Sequence, residues 1–355
     1  MAQPRETVWD SQPRTAIKHR LYRHYLQCWL GKLARYSPVV VVDGFAGPGV
    51  YRDKAPGSSV WVARTYLEHS QLACFKGLRL IANEVRQDRR DLLAQQLAPY
   101  HRDGVELDVR PPAAFADVQA EIGTLAHPSS DTPVLWLLDP FDYTSLPFDL
   151  VSACLTAGRR DEALITWFAD EFYRFIDQAD REKAFTRHFG GERWKAARAE
   201  QGEARRKQAL RDAYRHELKA LDGPILTEYF NVAVKNENAR YSIIHATHSH
   251  SGLECFAPVK WRLDPAAGRT ASERRLGQET LFGPDLAALK EALMSYAGGE
   301  ASLLELRTKT LELGSTEAHL RAALDDLAED GRAVRVTPLN ARTPWPQESV
   351  VRFYA

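Results

Sequence analysis

An α/β protein with a doubly wound, mainly parallel sheet, a terminal antiparallel hairpin and a small C-terminal helical module is predicted from three observations. Val39-Val40-Val41-Val42 is apolar at consecutive positions, so both faces of that strand must be buried, as in the middle of a parallel sheet. Short apolar runs recur at 78–84, 104–110, 133–139 and 163–168, separated by segments of helical length. Later, two strand-like runs at 230–235 and 241–247 flank Asn236-Glu237-Asn238-Ala239, a hairpin signature.

The first element is a helix over 14–35, where Ile17, Leu21, Tyr25, Trp29 and Leu33 recur at helical spacing. The valine strand runs into Asp43-Gly44-Phe45-Ala46-Gly47-Pro48-Gly49, whose glycines let the backbone approach a ligand closely. An excursion over 50–57 follows, then a helix at 60–69 for which Gly57-Ser58-Ser59 offers an N-cap. That excursion parts the glycines from the helix, so a phosphate-type site on the helix N-terminus is not expected. The strand at 78–84 ends in Glu84 and returns through a helix at 86–97. The strand at 104–110 leads to a helix at 113–125, and 133–139 ends in Asp139 before a helix at 146–157. After the fifth strand comes a charged helical insertion at 170–222. Polar residues 266–283 read as a linker between a domain at 1–265 and a second at 284–355. There, helices at 284–296, 302–313 and 315–330, the last capped by Ser315, precede strands at 333–337 and 349–354, the order of a winged helix.

The balance of 47 Lys+Arg against 47 Asp+Glu excludes a chain that coats nucleic acid or a membrane by overall charge. A local footprint remains. Residues 181–219 carry twelve basic side chains against six acidic, among them Arg205, Arg206 and Lys207, expected to contact a nucleic-acid substrate together with Arg332, Arg335 and Arg342 in the wing. Trp345, between Pro344 and Pro346, is a rigid aromatic of the kind that anchors interfaces. No run approaches the roughly 18–20 apolar residues of a membrane span, and the first ten residues lack the apolar core of a signal peptide. Cys28, Cys74, Cys154 and Cys255 are widely spaced with no C-x-x-C pair, which predicts reduced thiols and a cytoplasmic protein. His248 and His250 have no evident third ligand, so no metal site is expected.

The run from Val39 to Gly49 resembles the first motif of class I S-adenosylmethionine-dependent methyltransferases. The resemblance implies a Rossmann-like methyltransferase sheet and S-adenosylmethionine as cofactor, cradled by Gly44, Phe45, Ala46, Gly47 and Gly49. Asp43 would orient this loop and the amino group of the cofactor's methionine half. Glu84 would accept from the ribose hydroxyls, and Asp108 would contact the adenine end. Asp139-Pro140-Phe141-Asp142-Tyr143 is similar to the D-P-P-Y type motif of methyltransferases acting on exocyclic amines of bases. Asp139, Pro140 and Phe141 form the expected catalytic set: the acid and a backbone carbonyl accept from the target NH₂, and the ring packs a flipped base. Tyr143 is the adjoining substrate contact. Asp-Pro-Phe also resembles the tRNA guanine dimethyltransferases.

With Lys18-His19, Gly57-Ser58, Pro147-Phe148 and the segment 241–254 added, the chain from about residue 14 to 265 resembles the three-Cys-motif partner proteins, TcmP. Asp142 stands where that pattern has glycine, and Thr166-Trp167 where it has Asn-Phe. The resemblance implies a partner carrying three cysteines, of the iron–sulfur radical type, docking on the insertion or the C-terminal module. One reading is therefore a methyltransferase acting on a base amine beside that partner. Another is a non-catalytic subunit of the same fold that recruits a partner enzyme to nucleic acid. A third is a metal-dependent nuclease with Asp139 and Asp142 as cation ligands.

Overall fold

The valine run forms β1 (Val39–Asp43), and every one of its residues is buried. Val39 and Val41 point into one apolar cluster and Val40 and Val42 into another, so the alternation of a strand distributes four like residues between two cores. The computed structural model of the chain describes residues 5–233, 239–271, 283–338 and 343–355.

Before β1 runs α1 (Pro13–Leu33), which buries Ile17, Leu21, Tyr25 and Trp29 on the sheet. The alternation that follows is α2 (Ser58–Leu67), β2 (Leu78–Ala82), α3 (Gln87–Leu97), β3 (Val105–Val109), α4 (Phe115–Ala126), β4 (Val134–Leu138), α5 (Phe148–Thr156) and β5 (Asp161–Trp167). The insertion supplies α6 (Ala169–Phe175), α7 (Glu182–Phe189) and α8 (Glu203–Lys219). Next come β6 (Leu226–Ala233), β7 (Ala239–Thr247), α9 (His250–Leu263) and the short β8 (Thr270–Ala271). The strand order is β3-β2-β1-β4-β5-β7-β6-β8, with β1 to β5 parallel and β7 antiparallel to both β5 and β6. This is the expected doubly wound, mainly parallel sheet with its antiparallel hairpin. Strand order reverses between β1 and β4, which is where open α/β sheets leave a crevice. Of the predicted hairpin turn, residues 236–238 lie outside the described residues, and Ala239 already belongs to β7.

Several expectations are corrected. α9 has no counterpart in the sequence reading, because Pro258 in its middle looks like a helix breaker; Ser249 caps its start instead. The expected linker begins inside the sheet, since Thr270 and Ala271 pair with Asn231 and Val232 of β6; residues 272–282 lie outside the described residues. The cysteines are not all reduced: Cys28 of α1 and Cys255 of α9 form a disulfide, leaving Cys74 and Cys154 free. A separation of 227 residues hides a pair that two packed helices bring together. Closing a loop of that length restricts the unfolded chain, so Cys28→Ser is expected to lower stability by about 2–4 kcal/mol. Urea unfolding with and without reductant checks this: the variant should match the reduced parent. No helix among the described residues is long and apolar enough to cross a membrane.

The C-terminal module contains α10 (Ala287–Leu293), β9 (Glu300–Ser302), α11 (Leu303–Glu312), α12 (Glu317–Glu329), β10 (Ala333–Thr337) and β11 (Val350–Phe353). Its three strands form an antiparallel sheet in the order β10-β11-β9, and β9 was not foreseen. The cap of α12 is Thr316 rather than Ser315, in a reciprocal box with His319. The module rests on α9 and β6. Trp261 donates to the Gly314 carbonyl at 3.0 Å, and Arg307 pairs with Glu254 at 2.9 Å. Beneath Gly314 lies the buried ion pair Lys260–Glu228, so close that a Cβ at Gly314 would overlap both side chains. Trp345 is buried and donates to Asp325 at 2.6 Å, so it holds its own module together instead of anchoring a partner.

Candidate active site

β1 ends at the crevice, and its last residue organises the turn. Asp43 is buried; its Oδ2 accepts from Ser58 Oγ at 2.6 Å and Ser59 Oγ at 2.7 Å. The two serines therefore brace Asp43 rather than cap α2, whose N-cap is Gly57. Asp43 Oδ1 is buried without a partner, and burial raises the carboxyl's pKa. Gly47 (φ +64°) and Gly49 (φ +74°) take the left-handed backbone that favours glycine. The excursion over 50–57 closes on itself. Gly57 N–H donates to Gly49 O at 2.8 Å, and a Cβ at Gly57 would come within 2.9 Å of Gly49 Cα. The N-terminus of α2 thus returns to the glycine loop, contrary to the expected separation.

The strand-end acids divide in their roles. Glu84 is buried, accepting from the Arg86 N–H at 2.9 Å, and burial raises its pKa. It does not line the cavity. Asp108 faces Arg110 at 3.3 Å and Arg79 at 3.5 Å, also outside the cavity, so its place is in a surface ion-pair group.

A cavity of about 380 Å³ opens at the carboxyl ends of β1 and β4. Its lining takes Phe45, Ala46, Gly47 and Gly49 from the loop after β1 and Asp139, Pro140 and Phe141 from the turn after β4. Gly44 lies behind the loop, its N–H bound to Leu137 O at 3.1 Å. Asp139 accepts from Thr166 Oγ1 at 2.5 Å and is ion-paired with Lys18 of α1. His19, beside Lys18, lines the same cavity; burial, then the Lys18 charge, lowers its pKa to about 3, so it stays neutral near pH 7. Phe141 meets Trp9 edge-on at 5.6 Å, and Arg89 lies 4.8 Å over Trp9 and 5.7 Å over Phe141. One side of the expected stacking ring is therefore covered by the chain's own segment at 5–12. Arg52 holds that segment through Asp10 and the Trp9 carbonyl, each at 3.0 Å.

Sequence reasoning missed Trp9 and Thr166 as site residues. The legible signal was Lys18-His19, a polar pair on the otherwise apolar buried face of α1. Other expected contacts lie elsewhere. Tyr143 is buried among Phe172, Phe185 and His188, away from this cavity. Lys207 is buried against Asp170 and Glu203, and Arg206 pairs with Asp177 at 2.9 Å; Arg205 is exposed. The basic stretch is thus largely answered by neighbouring acids, among them Glu182 with Lys195 and Arg198 and Glu217 with Arg193. Arg335 turns back to the Thr343 and Pro344 carbonyls at 2.6 Å, Arg332 is exposed, and Arg342 lies outside the described residues. His248 is bound to the Leu155 carbonyl at 2.7 Å.

No family model matches the chain, and no curated protein does. Among solved structures it is similar to Trm1 from Pyrococcus horikoshii in complex with S-adenosyl-L-methionine, at 13% identity and a TM-score of 0.42 over 72% of this chain and 61% of that one. It is also similar to an O-methyltransferase from Bacillus cereus in complex with SAH, at 15% identity and a TM-score of 0.34, covering 67% of this chain and 82% of that one. Cofactor-bound Rv0187 from MTB is a third, at 12% identity and a TM-score of 0.34, covering 67% and 90%. The chain spans about 61% of the length of Trm1.

Proposed function

We propose that the protein is an S-adenosylmethionine-dependent methyltransferase whose acceptor is an exocyclic amine of a nucleic-acid base. One observation carries this reading. The glycine loop after β1 and the Asp-Pro-Phe turn after β4 line a single cavity at the reversal of strand order. Its volume of about 380 Å³ suits a small molecule. The residues fit the cofactor. Gly47 and Gly49 leave backbone bare towards it, and the α2 N-terminus returns to meet them. Asp43 does not itself line the cavity; it holds the strand end that carries this loop, through Ser58 and Ser59.

When bound, S-adenosylmethionine supplies a methyl group on a sulfonium, activated without metal or covalent intermediate. The chain's own work is then positioning. Asp139 is held by Lys18 and Thr166, and a carboxylate has roughly four lone-pair sites, so it can still accept from an incoming amine. The nuclease reading is less well supported: Asp142 caps the turn at 143–145 and does not line the cavity with Asp139.

Transfer of labelled methyl from S-adenosylmethionine into mixed cellular RNA and DNA tests this. Asp139→Ala is expected to lower the rate by about 10²–10³, the usual cost of a lost transition-state hydrogen bond, while cofactor affinity is retained. A chain that binds S-adenosylmethionine yet labels no base amine is the non-catalytic subunit instead.

A further inference from the structure

Methylation of an amine leaves one proton to remove, and few side chains in the cavity can take it. Tyr51 and Tyr241 are phenols kept protonated by burial, and Tyr241 Oη donates to the Arg14 carbonyl at 2.8 Å. Ser58 and Thr166 are hydroxyls already donating to Asp43 and Asp139. Asp139 and His19 remain. A proton on Asp139 would strip the buried Lys18 ammonium of its countercharge, which is costly.

His19 carries no such penalty. It is 7% exposed and lines the cavity, and among the described residues no hydrogen bond or ion pair engages its ring. Unlike His188 Nε2 and His245 Nδ1, which are buried without a partner, neither His19 nitrogen is sealed in. Its neighbours are those of the expected acceptor. It follows Lys18 on α1, and the Asp139 charge is near enough to act on its proton affinity. Its ring meets Tyr51 at 5.8 Å, and Tyr51 meets Trp9 edge-on at 5.9 Å. Trp9 in turn meets Phe141, so one chain of rings joins His19 to the stacking side chain. Burial, then the Lys18 charge, keeps the imidazole neutral, so one of its nitrogens has a free lone pair. A buried polar ring without a partner calls for one that the chain does not supply.

We propose that His19 is the catalytic base, its free ring nitrogen taking the proton that the acceptor amine loses. This rests on the base-amine reading. The amine nitrogen gives its lone pair to the methyl carbon as the carbon–sulfur pair passes to sulfur, and it is left positively charged. The N–H electron pair then returns to nitrogen while the proton goes to the imidazole. A methylated, charged amine conjugated to a base ring is a stronger acid than an imidazolium, so a weakly basic histidine suffices. The same weakness lets the proton pass on to solvent, which restores the neutral ring. Asp139 keeps its ion pair throughout and aims the amine.

The test compares the parent with His19→Asn and His19→Gln, whose amides replace the two ring nitrogens without their basicity. Single-turnover transfer of labelled methyl into mixed RNA and DNA is expected to slow at least about a hundredfold in both, the lower end for general base catalysis. Calorimetry should return the parent's affinity for S-adenosylmethionine, and urea midpoints should show both variants folded. With isotope-labelled histidine, the His19 ring resonance of the parent should be that of a neutral imidazole at pH 7. That resonance is read on the parent, so it stands even where a variant fails to fold. A smaller loss of rate in either variant overturns the proposal, as does a loss matched by weaker cofactor binding, or a parental ring protonated at pH 7. A parent that labels no base amine overturns the base-amine reading and this proposal with it. A parent that labels, beside variants that label as fast, removes His19 alone.

Discussion

Gly47→Arg is expected to abolish S-adenosylmethionine binding, with no heat detected by calorimetry at concentrations that saturate the parent. Two effects act together. The left-handed backbone at Gly47 (φ +64°) disfavours any side chain by roughly 1–2 kcal/mol. A Cβ there would also sit 3.6 Å from Trp9 Cη2, so the rest of an arginine must fill the cavity or displace Trp9 from Phe141. Gly104→Arg is the control. Gly104 has the same backbone sign (φ +78°), yet nothing lies within 4 Å of its Cβ position and it is remote from the cavity. It should lose some stability and keep its affinity. Parental affinity in Gly47→Arg would remove the cofactor from this loop.

The second large effect is on stability. Glu228→Ala removes one member of the buried Lys260–Glu228 pair and leaves an ammonium enclosed by α9, β6 and the Gly314 turn. Breaking such a pair from one side costs about 3–5 kcal/mol, because the remaining charge keeps its desolvation penalty. Arg215, 3.6 Å from the other Glu228 oxygen, loses that contact but keeps Asp212 at 3.5 Å and the Thr227 carbonyl at 2.7 Å. Replacing both members, as Glu228→Ala/Lys260→Met, should recover most of the loss. Urea midpoints at constant slope give the comparison; a single-variant cost below about 1 kcal/mol would mean that solvent reaches the pair.

The sheet was legible because its signal is local and redundant. A strand with both faces buried is expected to be apolar along its length, and β4 is, as is β1 up to its terminal Asp43. The two loops that line the cavity were legible for a related reason: glycine and proline mark turns at strand ends wherever they sit in the sequence. What stayed hidden depends on distance along the chain. Lys18 meets Asp139 across 121 residues and Cys28 meets Cys255 across 227, and no spacing rule reports such pairs. The basic footprint was misjudged by its window. Counting from residue 181 left out Asp170 and Asp177, the acids that answer Lys207 and Arg206. Tyr143 was assigned to the acceptor by its place in the motif, but two residues beyond Phe141 the chain has already passed to the other side of the turn.

The Cys28–Cys255 bond also decides how the molecule comes apart. Every strand from β1 to β7 lies between its two cysteines, so the central sheet sits inside one covalent ring. A single proteolytic cut within that ring, for instance in the exposed residues 128–131, leaves one molecule of unchanged mass on a non-reducing gel, apart from added water, and two fragments after reduction. The segment that carries Trp9 and Lys18 lies outside the ring on one side, and the C-terminal module lies outside it on the other. A cut at either of those places releases its fragment whatever the redox state.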